Sequence, residues 1–94
     1  MNPVRDSKYY YVYVLRSKKD ARWYTGFTGD IRKRFKQHND NVTGWTKNRG
    51  PFELIYCEAG KNITDTRSRE KYLKTGMGKR YLKNRLKRFL SLTG

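Results

Sequence analysis

Two short runs rich in aromatic and β-branched residues, YYYVYVLR (Tyr9–Arg16) and WYTGFT (Trp23–Thr28), flank the polar stretch SKKDAR. Such runs favour strands, and a polar connection this short joins them as an antiparallel hairpin. The hairpin is the strongest constraint on the fold. Its period of two puts Tyr9, Tyr11 and Tyr13 on one face of the first strand and Tyr10, Val12 and Val14 on the other.

The rest of the chain supplies what a hairpin needs to bury its faces. GDIRKRFKQHND reads as a helix with Asp30 as its N-cap. Ile31 and Phe35, four apart, point to the core, while Arg34 and His38 share a different stripe. A loop rich in Asn, Gly and Pro follows, carrying Trp45, Lys47 and Arg49. FELIYCEA (Phe52–Ala59) reads as a third strand. ITDTRSREKYLKT predicts a second helix, capped by Thr64 or Asp65 and broken by Gly76 and Gly78. KRYLKNRLKRFLSL predicts a third, with Leu82, Leu86, Phe89 and Leu90 at helical spacing. Neither a repeat nor a linker interrupts this order. The expectation is one α+β domain over residues 1–94, with its core at about 9–90. A small three-stranded antiparallel sheet is flanked by helices in the order ββαβαα.

A chain of 94 residues buries only roughly 60–65% of its unfolded surface, so an open cleft on one face of the sheet is expected rather than an enclosed cavity. Lys and Arg number 23 against 8 Asp and Glu, a net charge of +15. That balance points to a polyanionic partner, and nucleic acid fits better than a membrane because the charge is spread over every segment. Eight Tyr, four Phe and two Trp argue against disorder. Cys57, the only cysteine, excludes a disulfide framework and reads as a buried small hydrophobe. MNPVRDSK lacks the apolar core of a signal peptide, and the apolar run Tyr9–Leu15 is too short to span a bilayer, so the cytoplasm is the expected compartment.

Acid placement is informative. Glu70 is the last acidic residue, and eight Lys or Arg follow it in 24 positions. A lone carboxylate among cations is either half of a surface salt bridge or a ligand for a divalent cation beside phosphate. Magnesium takes one or two carboxylates, several waters and phosphate oxygens.

Taken in order, these elements resemble the GIY-YIG nuclease superfamily, in particular small single-domain members related to the N-terminal nuclease domain of the excinuclease C subunit. Tyr11-Val12-Tyr13 stands for the first motif, with Tyr11 where the family has Gly. Tyr24-Thr25-Gly26 stands for the second, with Thr25 in place of Ile. DIRKRFKQH matches the family helix that carries Arg four residues before His, here Arg34 and His38. GWTKNRGPFELIY resembles the lead into the third strand. REKYLK supplies the metal-binding Glu at Glu70, and Asn84 follows 14 residues later.

The resemblance implies a metal-dependent DNA endonuclease that leaves 5′-phosphate and 3′-hydroxyl ends, acting in repair or processing, with single-stranded or branched DNA among the expected substrates. Tyr13, Tyr24, Arg34 and His38 would be catalytic, Glu70 would hold one Mg²⁺ or Mn²⁺, and Gly26 and Asn84 would support the site. Tyr13 is the first choice for general base, Tyr24 orients water or phosphate, Arg34 pairs with the scissile phosphate, and His38 relays a proton or bonds a tyrosine. Tyr10 and Tyr56 are expected in the core, and Tyr9 and Tyr11 at the cleft. Lys47 and Arg49 in the loop, with Trp45, and Lys79, Arg80, Lys83, Arg85, Lys87 and Arg88 near the C-terminus are phosphate-binding candidates. The competing function is a non-catalytic basic domain that binds DNA or RNA and uses its tyrosines only for stacking.

Overall fold

A computed structural model describes residues 8–40 and 46–93, so Trp45 lies outside the described residues. The sheet has three strands, β1 (Tyr10–Ser17), β2 (Trp23–Thr28) and β3 (Phe52–Gly60), in the order β2-β1-β3 with both pairings antiparallel. Helix α1 (Ile31–Asn39) precedes β3, and α2 (Ile63–Leu73), α3 (Gly76–Arg85) and α4 (Lys87–Thr93) follow it. The expected ββαβαα order holds, with its last helix divided at Leu86.

The most apolar strand takes the central position. Val12 and Val14 are buried against Leu73 of α2 and Leu82 of α3, joined by half-buried Trp23, Ile55, Tyr56 and Tyr81. On the other face Tyr13 and Leu15 are buried with Phe52, and Tyr24, Ile31 and Phe35 pack against them. Both faces of β1 are therefore covered, α2 and α3 on one side and α1 on the other. The register shifts between Val14 and Leu15, where Tyr56 and Leu54 are the successive partners on β3. The extra residue, Ile55, is a bulge that twists the edge strand.

Caps set the helix starts. Asp30 Oδ1 accepts from Lys33 N at 3.1 Å, as expected for α1. Helix α2 is capped by Asn62, not by Thr64 or Asp65: Asn62 Oδ1 accepts from Asp65 N at 2.9 Å. Asp65 instead lies in the first turn, where a carboxylate suits the helix dipole. Gly76 and Gly78 do not separate the helices but begin α3. Thr75 caps it, with Oγ1 accepting from Gly78 N at 3.1 Å. A Cβ on Gly78 would overlap the Tyr72 carbonyl, so this glycine lets α3 cross the end of α2 closely.

Two burial expectations fail, those for Cys57 and Tyr10. Cys57 is exposed, because β3 is an edge strand and α1 meets it near its start, where Asn39 Oδ1 accepts from Phe52 N at 2.7 Å. Tyr10 is half-buried, stacked on Phe27 at 6.1 Å between ring centres. Tyr56 packs half-buried against the Val12, Val14, Leu73 and Leu82 core, as expected, and its hydroxyl donates to Glu58 Oε2 at 2.7 Å.

Candidate active site

Strands β1 and β2 pair Tyr13 with Gly26 and Leu15 with Tyr24. Tyr13 and Tyr24 thus project from neighbouring strands to the face that α1 covers, their rings 6.3 Å apart. Helix α1 lays His38 between them, with ring centres 5.7 Å from Tyr13 and 4.9 Å from Tyr24. His38 Nε2 meets Tyr13 Oη at 2.8 Å, and His38 Nδ1 meets Thr46 Oγ1 at 2.6 Å. Tyr13, His38 and Thr46 are each completely shielded from solvent. His38 is therefore no solvated surface residue. Tyr24 and Arg34 are half-buried and form the outer layer. The Arg34 guanidinium donates to Gln37 Oε1 at 3.1 Å.

The electrostatics of the inner pair are one-sided. Burial pushes the Tyr13 phenol up to about 12; Arg34 opposes that rise and Tyr24 adds to it. Burial, then the charge of Arg34, pushes His38 down to about 4. Both shifts disfavour a phenolate–imidazolium pair, so near neutral pH the bond joins two uncharged groups.

Gly26 is required by this packing. It is buried directly beneath the Tyr13 ring, and a Cβ there would collide with Tyr13 Oη and Cζ. The glycine of the second motif is thus the floor on which the tyrosine of the first lies.

Glu70 is placed differently. It lies on α2, which packs against the opposite face of the sheet, and is only 9% exposed. Lys74 Nζ bonds its Oε2 at 2.9 Å, one helical turn on. Lys74 also lines, with Trp23, Tyr24, Thr25 and Lys79, a groove of about 310 Å³. Because β2 is an edge strand, Tyr24 and Lys74 meet at this groove from opposite faces of the sheet, while Glu70, one turn before Lys74 on α2, is not among its lining residues. The Tyr13–Tyr24–His38 cluster and Glu70 therefore lie on opposite sides of the sheet. Among the described residues no three His, Cys, Asp or Glu side chains gather to form an all-protein metal cage. A single nearly buried carboxylate suits a hard divalent cation whose shell is completed by water and phosphate, provided Lys74 gives way.

The other candidates are dispersed. Asn84 is exposed on α3 and lines a separate groove with Met77, Arg80 and Tyr81. Lys83 faces a groove against Trp23. Arg85 and Lys87 are exposed at the junction of α3 and α4, and Lys47 and Arg49 lie at the far end of the hairpin, where Arg49 O accepts from Ser17 Oγ at 2.8 Å. Two contributors escaped the sequence reading. Thr46 carries no signal, being an ordinary loop residue eight positions after His38. Lys74 was legible as the i+4 partner of Glu70.

Residues 9–87 match the GIY-YIG catalytic domain family. The chain is 43% identical over 65 residues to the UPF0213 protein CPE1444 of Clostridium perfringens, covering 68% of this chain and 69% of that protein. It is 39% identical over 66 residues to the UPF0213 protein YazA of Bacillus subtilis, covering 69% and 66%. The solution NMR structure of the UPF0213 protein BH0048 from Bacillus halodurans superposes with a TM-score of 0.50 at 34% identity, covering 79% of this chain and 81% of that one.

Proposed function

The chain belongs to the GIY-YIG family of nucleases, and on that premise we propose that it is a divalent-metal-dependent DNA endonuclease whose proton path runs inward from Tyr24 through Tyr13 to His38. The observation that carries this reading is the convergence of Tyr24, Arg34 and His38 on the hydroxyl of Tyr13.

The sequence alone favours Tyr13 as the base. Its burial favours Tyr24 instead, since water and phosphate meet the half-buried Tyr24 and Arg34 first. Arg34 pairs with the scissile phosphate through its guanidinium fork. Water attacks phosphorus and gives its proton to Tyr24 Oη. Tyr24 passes its own proton to Tyr13 Oη, and Tyr13 passes its proton to His38 Nε2. In the tautomer with Nδ1–H donating to Thr46, Nε2 is the acceptor of the Tyr13 proton. Each tyrosine ends neutral, so no phenolate has to persist in a site that disfavours it. The P–O3′ bond breaks, and the 3′ oxygen leaves with its electron pair and takes a proton from solvent.

Substrate itself primes the relay. The charge of Arg34 is one of two causes that depress His38. A phosphate that engages Arg34 neutralises that charge and raises the basicity of His38. Glu70 would hold the Mg²⁺ or Mn²⁺ ion, which when bound supplies Lewis-acid stabilisation of the charge on the phosphate.

The test is incubation with single-stranded, double-stranded and branched DNA, with Mg²⁺ or with EDTA. Metal-dependent cleavage that is lost in Tyr24→Phe is the expected result. Tight binding without cleavage of any of the three would overturn the nuclease reading in favour of a binding domain.

A further inference from the structure

Beside the groove that holds Tyr24 and Lys74 lies a second one, of about 390 Å³, lined by Ala21, Arg22, Trp23, Thr25, Lys79, Leu82 and Lys83. Trp23, Thr25 and Lys79 line both, so the two grooves adjoin along β2. The volume is of the size that takes a small organic ring system. Its wall is a half-buried indole, and three cations surround it: Arg22, Lys79 and Lys83 are all exposed. Lys79 and Lys83 stand one turn apart on α3 and so project to the same side. Among the described residues no acidic side chain lines either groove. A hydrophobic pocket for an apolar ligand would not need that rim, and a plain phosphate track would not need the indole.

We propose that this groove is a nucleotide subsite: the face of Trp23 stacks one unpaired base of the substrate strand, and Lys79, Lys83 and Arg22 hold the phosphates flanking it. The base is unpaired because both faces of a base inside a duplex are already covered by its neighbours, whereas one face must open to meet the indole. Stacking of this kind is indifferent to base identity. The subsite rests on the nuclease reading in one respect, that the phosphate to be cut lies next door at Tyr24 and Arg34. It would fix which nucleotide, counted from the cut, must be unpaired.

The test separates the subsite from the chemistry. Trp45→Phe leaves Trp23 as the only tryptophan, and its fluorescence is followed in EDTA as a short oligothymidylate is added. Quenching that saturates with binding is expected, and less of it with the same strand in a duplex. Trp23→Leu keeps an apolar side chain on the core but has no ring face. Provided its melting temperature stays near that of the parent, it should bind the oligonucleotide roughly 5- to 150-fold more weakly, the range for losing one base–aromatic stack. An abasic residue walked along the oligonucleotide should weaken binding at one position for the parent and at none for Trp23→Leu, an effect that a purely structural Trp23 would not produce. If the fluorescence does not change on binding, or the abasic scan is flat for the parent, the subsite is wrong, whatever the cleavage assay with Mg²⁺ returns. If the subsite holds and no cleavage occurs, it is the nuclease reading that fails.

Discussion

Tyr13 and Gly26 face each other across the β1–β2 ladder, and the phenol of one occupies the space where the other would carry a side chain. Each motif thereby explains the other. The tyrosine can be fully buried with its hydroxyl on His38 only because the opposite strand offers a bare Cα. Gly26→Ala should cost about 1–3 kcal/mol of stability, the usual penalty for overpacking, and should displace the Tyr13 hydroxyl from His38. Urea denaturation measures the first effect and cleavage rate the second. A variant as stable and as active as the parent would mean that the ring moves aside freely.

The relay predicts coupled losses. Tyr24→Phe and Tyr13→Phe should each slow cleavage by roughly 10²–10⁴-fold, as expected when a proton-transfer group is removed. The double variant should be little worse than either alone, because both interrupt one path. Tyr11→Phe, on the same face of β1, should remain within a few-fold. Single-turnover rates under saturating DNA are the measurement. Additive losses would indicate two independent roles. A normal rate for Tyr13→Phe beside a dead Tyr24→Phe would end the path at Tyr24.

Much of this arrangement was legible beforehand, and the gaps have physical causes. The i, i+4 placing of Arg34 and His38 follows from the helix period, and the meeting of Tyr13 and Tyr24 on adjacent strands from the resemblance to the family. Which phenol is the inner one does not, because burial depends on where α1 lies across the sheet. The exposure of Cys57 and the division of the last helix at Leu86 depend likewise on tertiary packing. Glu70 was legible as an unusual acid, but its approach from the opposite face required the strand order β2-β1-β3.

The inner pair should also set the pH limits of stability. Unfolded His38 takes up a proton near 6.5, while the folded protein resists until about 4. Between those values the unfolded state binds more protons, so stability falls as the pH is lowered. Tyr13 is raised from 10.0 to about 12, so the unfolded chain releases that proton first and stability falls again as pH rises through this range. NMR titration of His38, the only histidine, should give a midpoint near 4 and not 6.5. His38→Gln should flatten the acid limb of the urea midpoint plotted against pH.

Lys74 holds the Glu70 carboxylate, and on the proposed reading a divalent cation would compete with it. Lys74→Gln should therefore bind Mn²⁺ more tightly than the parent in the absence of DNA, and Glu70→Gln should bind it more weakly than either. Electron paramagnetic resonance of free Mn²⁺ reads this without any substrate. Equal affinity in the parent and in Glu70→Gln would remove Glu70 as the ligand. Cleavage by Glu70→Gln should be lost, with DNA binding kept or slightly tightened by the removal of a negative charge.

The last prediction separates cations that the sequence groups together. Arg80, Lys83, Arg85 and Lys87 all fall in one basic stretch, yet Lys83 shares the Trp23 groove with Lys79, whereas Arg80 lies beside Asn84 and Tyr81 in another. If DNA follows the β2 edge, Lys79→Gln with Lys83→Gln should weaken binding and reduce the slope of log K against log salt. Each lost phosphate contact should remove about 0.7–0.9 from that slope. Arg80→Gln with Arg85→Gln carries the same change in net charge and should leave the slope nearly unaltered. Fluorescence anisotropy with a labelled oligonucleotide over a series of salt concentrations gives both slopes. Equal reductions in the two double variants would mean that the whole helix surface, not the β2 edge, carries the DNA.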